Sequence, residues 1–239
     1  MLKFIGIGSA FNTAEGNTSA YYKESGKLFL IDCGSANFHY MKESGFLDDV
    51  EEIHVYITHT HADHVGSLAD LILYMYYSKG YFAKRVTVYA NINLEVNEYL
   101  EKNGTTFEHY HYHPMTYKEI IDIEGLGLGF ISYKTSHVKE LESYGLIIDF
   151  YEANKMAMYT GDTNKLSDNI NFMLENELDY LYVDTCSQDY EGNVHLSLYK
   201  LHLAVEKEHR NKVWCMHLDE KFDKELARSL GFNIAEVEI

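Results

Sequence analysis

Apolar positions in the first third of the chain fall into short runs, separated by clusters of Gly, Ser, Asn and Asp. Residues 2–7 (LKFIGI) predict a strand, followed by a polar loop, GSAFNTAEGN. Residues 19–24 and 28–32 flank Gly26 as a hairpin whose second arm, LFLID, reads as buried. A helix follows the turn Asp32-Cys33-Gly34-Ser35. Another buried strand, IHVYIT at 53–58, runs directly into HTHADH at 59–64. From 65 to 78 the spacing becomes helical, with Leu68, Leu71, Ile72 and Met75 on one face.

Further along, 86–90 predicts a strand, and 93–104 a helix with Asn93 as N-cap and Gly104 as the stop. Strands are expected at 126–135, 144–150, 155–160, 180–184 and 212–217, and helices at 169–177 and 196–209. Ser197 fits the capping position of the last helix. This order predicts an α+β fold, a sandwich of sheets covered by helices. No linker, repeat or low-complexity stretch interrupts it, so residues 1–239 are expected to form one domain.

Composition narrows the function classes. Hydrophobic residues at 46% and charged residues at 24% are ordinary for a globular protein and exclude a disordered chain. The formal net charge of −17 disfavours extended binding to a nucleic-acid backbone. No apolar run approaches the ~20 residues that span a bilayer, so no membrane association is expected. Three cysteines, Cys33, Cys186 and Cys215, are too scattered for a disulfide framework, which points to a reduced, cytoplasmic setting. The 21 tyrosines suit half-buried strand and interface positions.

One segment carries chemistry. His59-Thr60-His61-Ala62-Asp63-His64 places four metal-competent side chains within six residues, between a buried strand and a helix. His59 and His61 alternate, so on extended backbone they point the same way, while Asp63 and His64 lie on the turn into the helix. Imidazole and carboxylate suit Zn²⁺ and similar first-row ions. Two ligands for each of two neighbouring ions is the more natural division. Such a pair, about 3.5–4 Å apart, can share and acidify a water.

The hexapeptide has the form HxHxDH and resembles the metallo-β-lactamase superfamily. The resemblance extends over most of the chain: Ser136-His137 matches a lone ligand His, Thr160-Gly161-Asp162-Thr163 a bridging Asp, and Met216-His217 a final His. Asp32-Cys33-Gly34 matches the superfamily's Asp-x-Gly turn. The resemblance implies an αββα sandwich with a di-metal site at one edge. By it, His59, His61 and His137 would hold one ion, Asp63, His64 and His217 the other, and Asp162 would bridge. Two Zn²⁺ are expected, with Mn²⁺ or Fe as alternatives.

The segment Val194-His195-Leu196-Ser197 resembles an element of the superfamily's phosphodiesterase branch, which includes the tRNA 3′-processing endonucleases (the RNase Z-like enzymes). There the His assists the leaving oxygen, a role carried here to His195; Asp63 is taken with it as catalytic. No protruding basic arm of the kind that holds tRNA is present, and two bound dications would leave the chain strongly acidic. The segments GIGSAFNT, DCGS, HTHADHVGSL and VHLSL resemble compact, phage-encoded cyclic-nucleotide phosphodiesterases that counter Pycsar immunity. That resemblance implies hydrolysis of cyclic mononucleotides such as cCMP and cUMP, a homodimer whose partner helps close the pocket, and action in the host cytoplasm. The alternatives are a tRNA endonuclease and a lactone or thioester hydrolase of the same fold.

Other residues carry weaker signals. His109, His111 and His113 alternate and suit an exposed edge or interface strand. His54 reads as a hydrogen-bonded core or edge residue, Trp214 as core, and Cys186 and Cys215 as small buried hydrophobes. Asp184 could orient a ligand His. Asn12 and Thr13 suit either substrate contact or turn chemistry. Tyr74, Tyr76, Tyr77 and Tyr144 are candidates for stacking on a nucleotide.

Overall fold

The computed structural model describes residues 1–116 and 118–239. The first half contains β1 (Lys3–Gly6), β2 (Ser19–Glu24), β3 (Lys27–Ile31), α1 (Asn37–Glu43), β4 (Glu52–Ile57), α2 (Ala62–Val65), α3 (Leu68–Tyr74), β5 (Val86–Asn91), α4 (Val96–Lys102) and β6 (His111–Met115). The second contains β7 (Ile120–Ile123), β8 (Leu128–Lys134), β9 (Tyr144–Phe150), β10 (Lys155–Tyr159), α5 (Ile170–Asn176), β11 (Tyr180–Asp184), α6 (Leu198–Ala204), β12 (Val213–Met216), α7 (Lys224–Ser229) and β13 (Asn233–Ile234).

Each half builds one sheet, in the orders β1-β2-β3-β4-β5-β6 and β13-β12-β11-β10-β9-β8-β7. Both sheets begin antiparallel and become parallel, at β3–β4 in the first and β10–β11 in the second. The central parallel strands are covered on both faces: every residue of β4 after Glu52 is buried, whereas the parallel edge strand β6 is largely exposed. Inner faces meet through aromatic pairs that cross between the sheets. Phe29 stacks on Phe130 at 5.2 Å, and Phe4 tilts against Tyr182 at 5.5 Å. This is the expected sandwich, with apolar helix faces such as Leu68, Leu71 and Ile72 of α3 joined to the same core.

All parallel strands end at one edge of the sandwich. The loops leaving β3, β4, β10, β11 and β12 therefore gather there, as ligand-bearing loops do in sheets of this kind. Backbone bonds lock them together. The Cys33 amide donates to the His64 carbonyl at 2.7 Å and the Ser35 amide to the Ala62 carbonyl at 3.0 Å. Gly34 is required between them, because a Cβ there would collide with the Asp63 carbonyl. The Tyr144 amide bonds the Thr58 carbonyl at 3.0 Å, joining the two sheets at this edge.

Three expected helices are interrupted. The segment 65–78 breaks at Gly66-Ser67 because Ser67 Oγ donates to the Gly34 carbonyl and accepts from the Phe38 amide. It ends in a π-helical turn at Met75–Lys79. Asn93 is not an N-cap: its side-chain amide donates to Glu142 and Tyr144, Asn91 caps a 3₁₀ turn at Ile92–Leu94, and α4 starts only at Val96. The helix expected to run to 209 ends at Ala204, where Asn171 takes up the Ala204 carbonyl and the Glu206 amide. A 3₁₀ helix follows at Lys207–Lys212. Ser197 caps α6 as expected, accepting from the Lys200 amide.

Strand β6, with His111 and His113, is the edge of its sheet, and His113 pairs with Glu119 at 2.8 Å. His54 is buried against Tyr89, whereas Trp214 is half-buried. The three cysteines are buried and free. Burial pushes the Cys33 and Cys215 thiols up to about 12 and Cys186 up to about 11. Native protein at pH 8 should therefore resist iodoacetamide, and mass spectrometry should find all three thiols alkylated only after unfolding. No helix among the described residues is long and apolar enough to cross a membrane.

Candidate metal centre

The end of β4 turns His59 inward, where it is fully buried, and its Nδ1 lies 3.0 Å from Thr58 Oγ1. Its Nε2 lies 3.0 Å from His61 Nδ1, which in turn lies 3.3 Å from His137 Nε2. His137 comes from the β8–β9 connection and is oriented through Nδ1 by the Val194 carbonyl at 3.1 Å. These three nitrogens form one group with Asp162. A second group joins Asp63, His64 and His217, with both His Nε2 atoms 3.3 Å from Asp63 Oδ2.

Asp162 lies between the groups. Its Oδ2 is 3.7 Å from His59 Nε2 and 3.6 Å from His137 Nε2, whereas its Oδ1 is 3.3 Å from His64 Nε2 and 3.5 Å from His217 Nε2. The seven side chains expected as ligands therefore lie together, and a third group joins Asp162 and His217 to Asp184 and His195. Cys186 and Cys215 join none of these groups.

The donor set fits metal ions better than it fits an empty cluster. His64 Nε2 and Asp162 Oδ1 are buried, and neither has a hydrogen-bond partner. Orphaned buried acceptors of this kind are costly unless something else satisfies them. Nitrogen and carboxylate donors at these separations suit Zn²⁺, Mn²⁺ or Fe.

The electrostatics are consistent with that demand. Burial opposes charge on Asp162, yet the imidazoles of His217, His64 and His59 hold its carboxyl well below the usual carboxylate range. Burial, reinforced by His64, pushes His59 well below the ordinary histidine value and keeps its ring neutral. Burial also opposes an imidazolium at His217, but Asp162, Asp184 and Asp63 push it up to about 10. A dication at His217 Nε2 must displace that proton. Metal uptake at pH 7 should accordingly release protons, and affinity should weaken as pH falls; titration calorimetry in two buffers of different ionisation enthalpy reads the release.

Around the ligands lies a second layer of carboxylates. Asp32, at the end of β3, accepts from the Thr58 amide and hydroxyl, each at 2.8 Å, and faces His64 Nδ1 at 2.8 Å. It is fully buried at a φ of +65°, a strained conformation that the surrounding bonds enforce. Asp184 holds His195 through Nδ1 at 2.7 Å and lies 3.4 Å from His217 Nδ1. Sequence reasoning matched the turn around Asp32 without giving Asp32 or Thr58 a role. The available signal was an acid ending a wholly apolar strand. Asp32→Asn should weaken metal binding by roughly 10- to 100-fold, read by competition with a chelating dye; unchanged affinity would remove the orienting role.

A cavity of about 660 Å³ opens onto His61, Asp63, His137, Asp162, His195 and His217. Thr13 lines it, but Asn12 does not: Asn12 is buried and its side-chain amide donates to the distant Leu218 carbonyl at 2.9 Å, tying the first loop to the segment after His217. None of Tyr74, Tyr76, Tyr77 and Tyr144 lines it. Tyr74 packs on Phe38, Tyr76 and Tyr77 pack on His109, and the Tyr144 hydroxyl binds Glu142. The aromatic residues that do line it, Phe11 and Tyr40, were not expected from the sequence.

A two-sheet sandwich carrying two adjoining His/Asp groups at the carboxyl ends of its strands defines a metallo-β-lactamase-fold protein. Solved structures agree: the metallo-β-lactamase fold protein YhfI from Bacillus subtilis has a TM-score of 0.76 at 17% identity, covering 100% of this chain and 96% of that one. A diphosphatase of the PhnP family has a TM-score of 0.75 at 21% identity, covering 100% and 95%. Within that fold the chain belongs to the family of the anti-Pycsar protein Apyc1, whose model matches residues 1–236. The Apyc1 protein of Bacillus phage 010DV004 is 27% identical, over 93% of this chain and 90% of its own length.

Proposed function

We propose that this chain is a metal-dependent phosphodiesterase that opens cyclic mononucleotides such as cCMP and cUMP to linear monophosphates. Acting in a host cytoplasm, it would thereby remove a cyclic-nucleotide immune signal. The observation that carries this reading is the pair Asp184–His195 beside the bridging Asp162. His195 Nδ1 is 2.7 Å from Asp184 Oδ2 and 3.8 Å from Asp162 Oδ2, and the ring lines the cavity. A thioester expels a thiolate that can leave without a proton donor, whereas a departing ribose oxygen is a poor leaving group that a positioned acid assists. The name borne by the relatives, anti-Pycsar, supports the same direction.

The seven ligands would hold two dications, Zn²⁺ being the first choice and Mn²⁺ or Fe the alternatives. When bound, these supply a hydroxide nucleophile at neutral pH and neutralise charge on the phosphoryl oxygens. The chain's own contribution is orientation and proton transfer. Asp184 accepts the Nδ1 proton of His195, which leaves Nε2 to meet the substrate. Burial opposes a charged ring there, but Asp184 outweighs it and raises His195 above the ordinary histidine value. The protonated ring then donates to the departing O3′, and a 5′-monophosphate results. Asp63 keeps its carboxylate ionised beside His217 and His64 and holds that side of the site in register. A homodimer is proposed as the working assembly.

The reaction class is tested with metal-loaded protein on cCMP, cUMP, cAMP, cGMP, a cyclic dinucleotide, a tRNA precursor, a thioester and a lactone, read by chromatography. Cyclic mononucleotides should be converted first. Cleavage of the tRNA precursor alone, with steep salt dependence, would favour an endonuclease. Turnover of the thioester or lactone alone would mean carbonyl chemistry.

A further inference from the structure

We propose that Phe11 and Tyr40 form the platform on which the substrate's base stacks, an assignment that rests on the cyclic-nucleotide reading of the site. Phe11 is 86% exposed, and its ring meets no other aromatic ring among the described residues. An isolated exposed phenyl is unremarkable on an ordinary surface. This one lines the same cavity as His61, Asp63 and His195.

The loop that carries it is tied down. The Ser9 amide bonds the Leu218 carbonyl at 3.0 Å, and the Gly8 amide bonds the Gly16 carbonyl at 2.7 Å. The side chain of Asn12 bonds the same Leu218 carbonyl. Leu218 directly follows the ligand His217, so the position of Phe11 is set relative to the metal site through one short stretch of backbone. Tyr40, on α1, is held from the other direction. Its ring lies against Gly16, where a Cβ would come within 3.1 Å of Cε2, and Gly16 has a φ of +66° that favours glycine.

Beyond the Thr13 hydroxyl and the Asn17 amide nitrogen, the rest of the wall is mostly apolar or already bonded. Ala10, Ala36, Val138 and Val194 are apolar. The polar side chains of Asn17 and Ser35 are engaged with backbone, with Asn17 Oδ1 accepting from the Ala36 amide and Ser35 Oγ donating to the Ala62 carbonyl. No Lys or Arg among the described residues lines the cavity. The phosphate belongs at the metal ligands, so affinity for the remainder of the molecule must come from planar, apolar contact. Two aromatic rings facing one cavity supply it, since every nucleobase has a π-face.

The test measures kcat and KM for cCMP and cUMP in wild type, Phe11→Ala, Phe11→Leu and Phe11→Trp, each with metal content and oligomeric state recorded. A base-free substrate, 1-O-methylribose 3′,5′-cyclic phosphate, is run in parallel. Phe11→Ala should raise KM by roughly 5- to 150-fold. Its kcat should stay within about twofold. Trp should restore KM, Leu should not, and kcat/KM for the base-free substrate should be unchanged. Tyr40→Ala should raise KM and Tyr40→Phe should not. An unchanged KM in Phe11→Ala, or an equal loss on the base-free substrate, would overturn the platform while leaving the phosphodiesterase reading intact. Dissociation of a wild-type dimer by Phe11→Ala would reassign the residue to a subunit interface. A wild type inactive on every cyclic nucleotide would remove the reading itself, and the platform with it.

Discussion

Asp162→Ala should lose metal and activity together. Asp162 is the one carboxylate whose two oxygens face different groups, Oδ2 toward His59 and His137 and Oδ1 toward His64 and His217. Removing it takes a buried anion from between the two groups, where the positive charge it offsets at His64 and His217 is poorly screened. Metal content by elemental analysis should fall from two ions per chain to at most one. The loss in kcat/KM should exceed roughly 10³-fold, the upper end of what removing a single electrostatic stabiliser costs. A variant that retained both ions and most of its turnover would show that the two groups do not share a bridging ligand.

His195→Ala should separate chemistry from metal binding. Its ring is not among the seven expected ligands, although it groups with Asp162, Asp184 and His217; it is held by Asp184 and lines the cavity. Both ions should stay, and kcat should fall by roughly 10²- to 10⁴-fold, the range for a positioned general acid. A substrate whose leaving group needs no protonation, such as a p-nitrophenyl phosphodiester, should lose far less. Equal losses on both substrates would mean that His195 contributes shape rather than a proton. Asp184→Asn should follow the same pattern more weakly, and should also loosen metal binding because Asp184 faces His217 as well.

The side chains that gather at this edge were legible in the sequence because HTHADH concentrates four metal-competent residues after a strand, and the resemblance carried by that motif pointed to His137, Asp162 and His217. HTHADH follows a buried strand, and His137, Asp162 and His217 lie just beyond the ends of β8, β10 and β12. What was not legible depends on contacts between segments far apart in the chain. Asp32 reads as a turn residue until β3 is paired with β4 and its carboxylate meets Thr58 and His64. The breaks at Ser67 and Val205 come from bonds to distant segments, Ser67 Oγ with the Gly34 and Phe38 backbone and Asn171 with Ala204 and Glu206, on segments whose apolar spacing alone favours continuous helix. Strand β7 is a short edge with the exposure pattern of an alternating ribbon, and β13 spans two residues, too little pattern to detect. The tyrosines were misassigned for the same reason. Nearness in sequence to the metal-binding turn carried Tyr74, Tyr76 and Tyr77 along a helix that leads away from the cavity, while the polar loop after β1 folds back beside His217 and brings Phe11 with it.

The most direct test of the account follows cCMP and cUMP by ³¹P NMR with metal-loaded wild type and Asp162→Ala side by side. The account predicts that the cyclic phosphate resonance is replaced by that of a 5′-monophosphate in the wild-type sample alone. A cyclic resonance that persists unchanged with the wild type, or that disappears equally fast with Asp162→Ala, would contradict it.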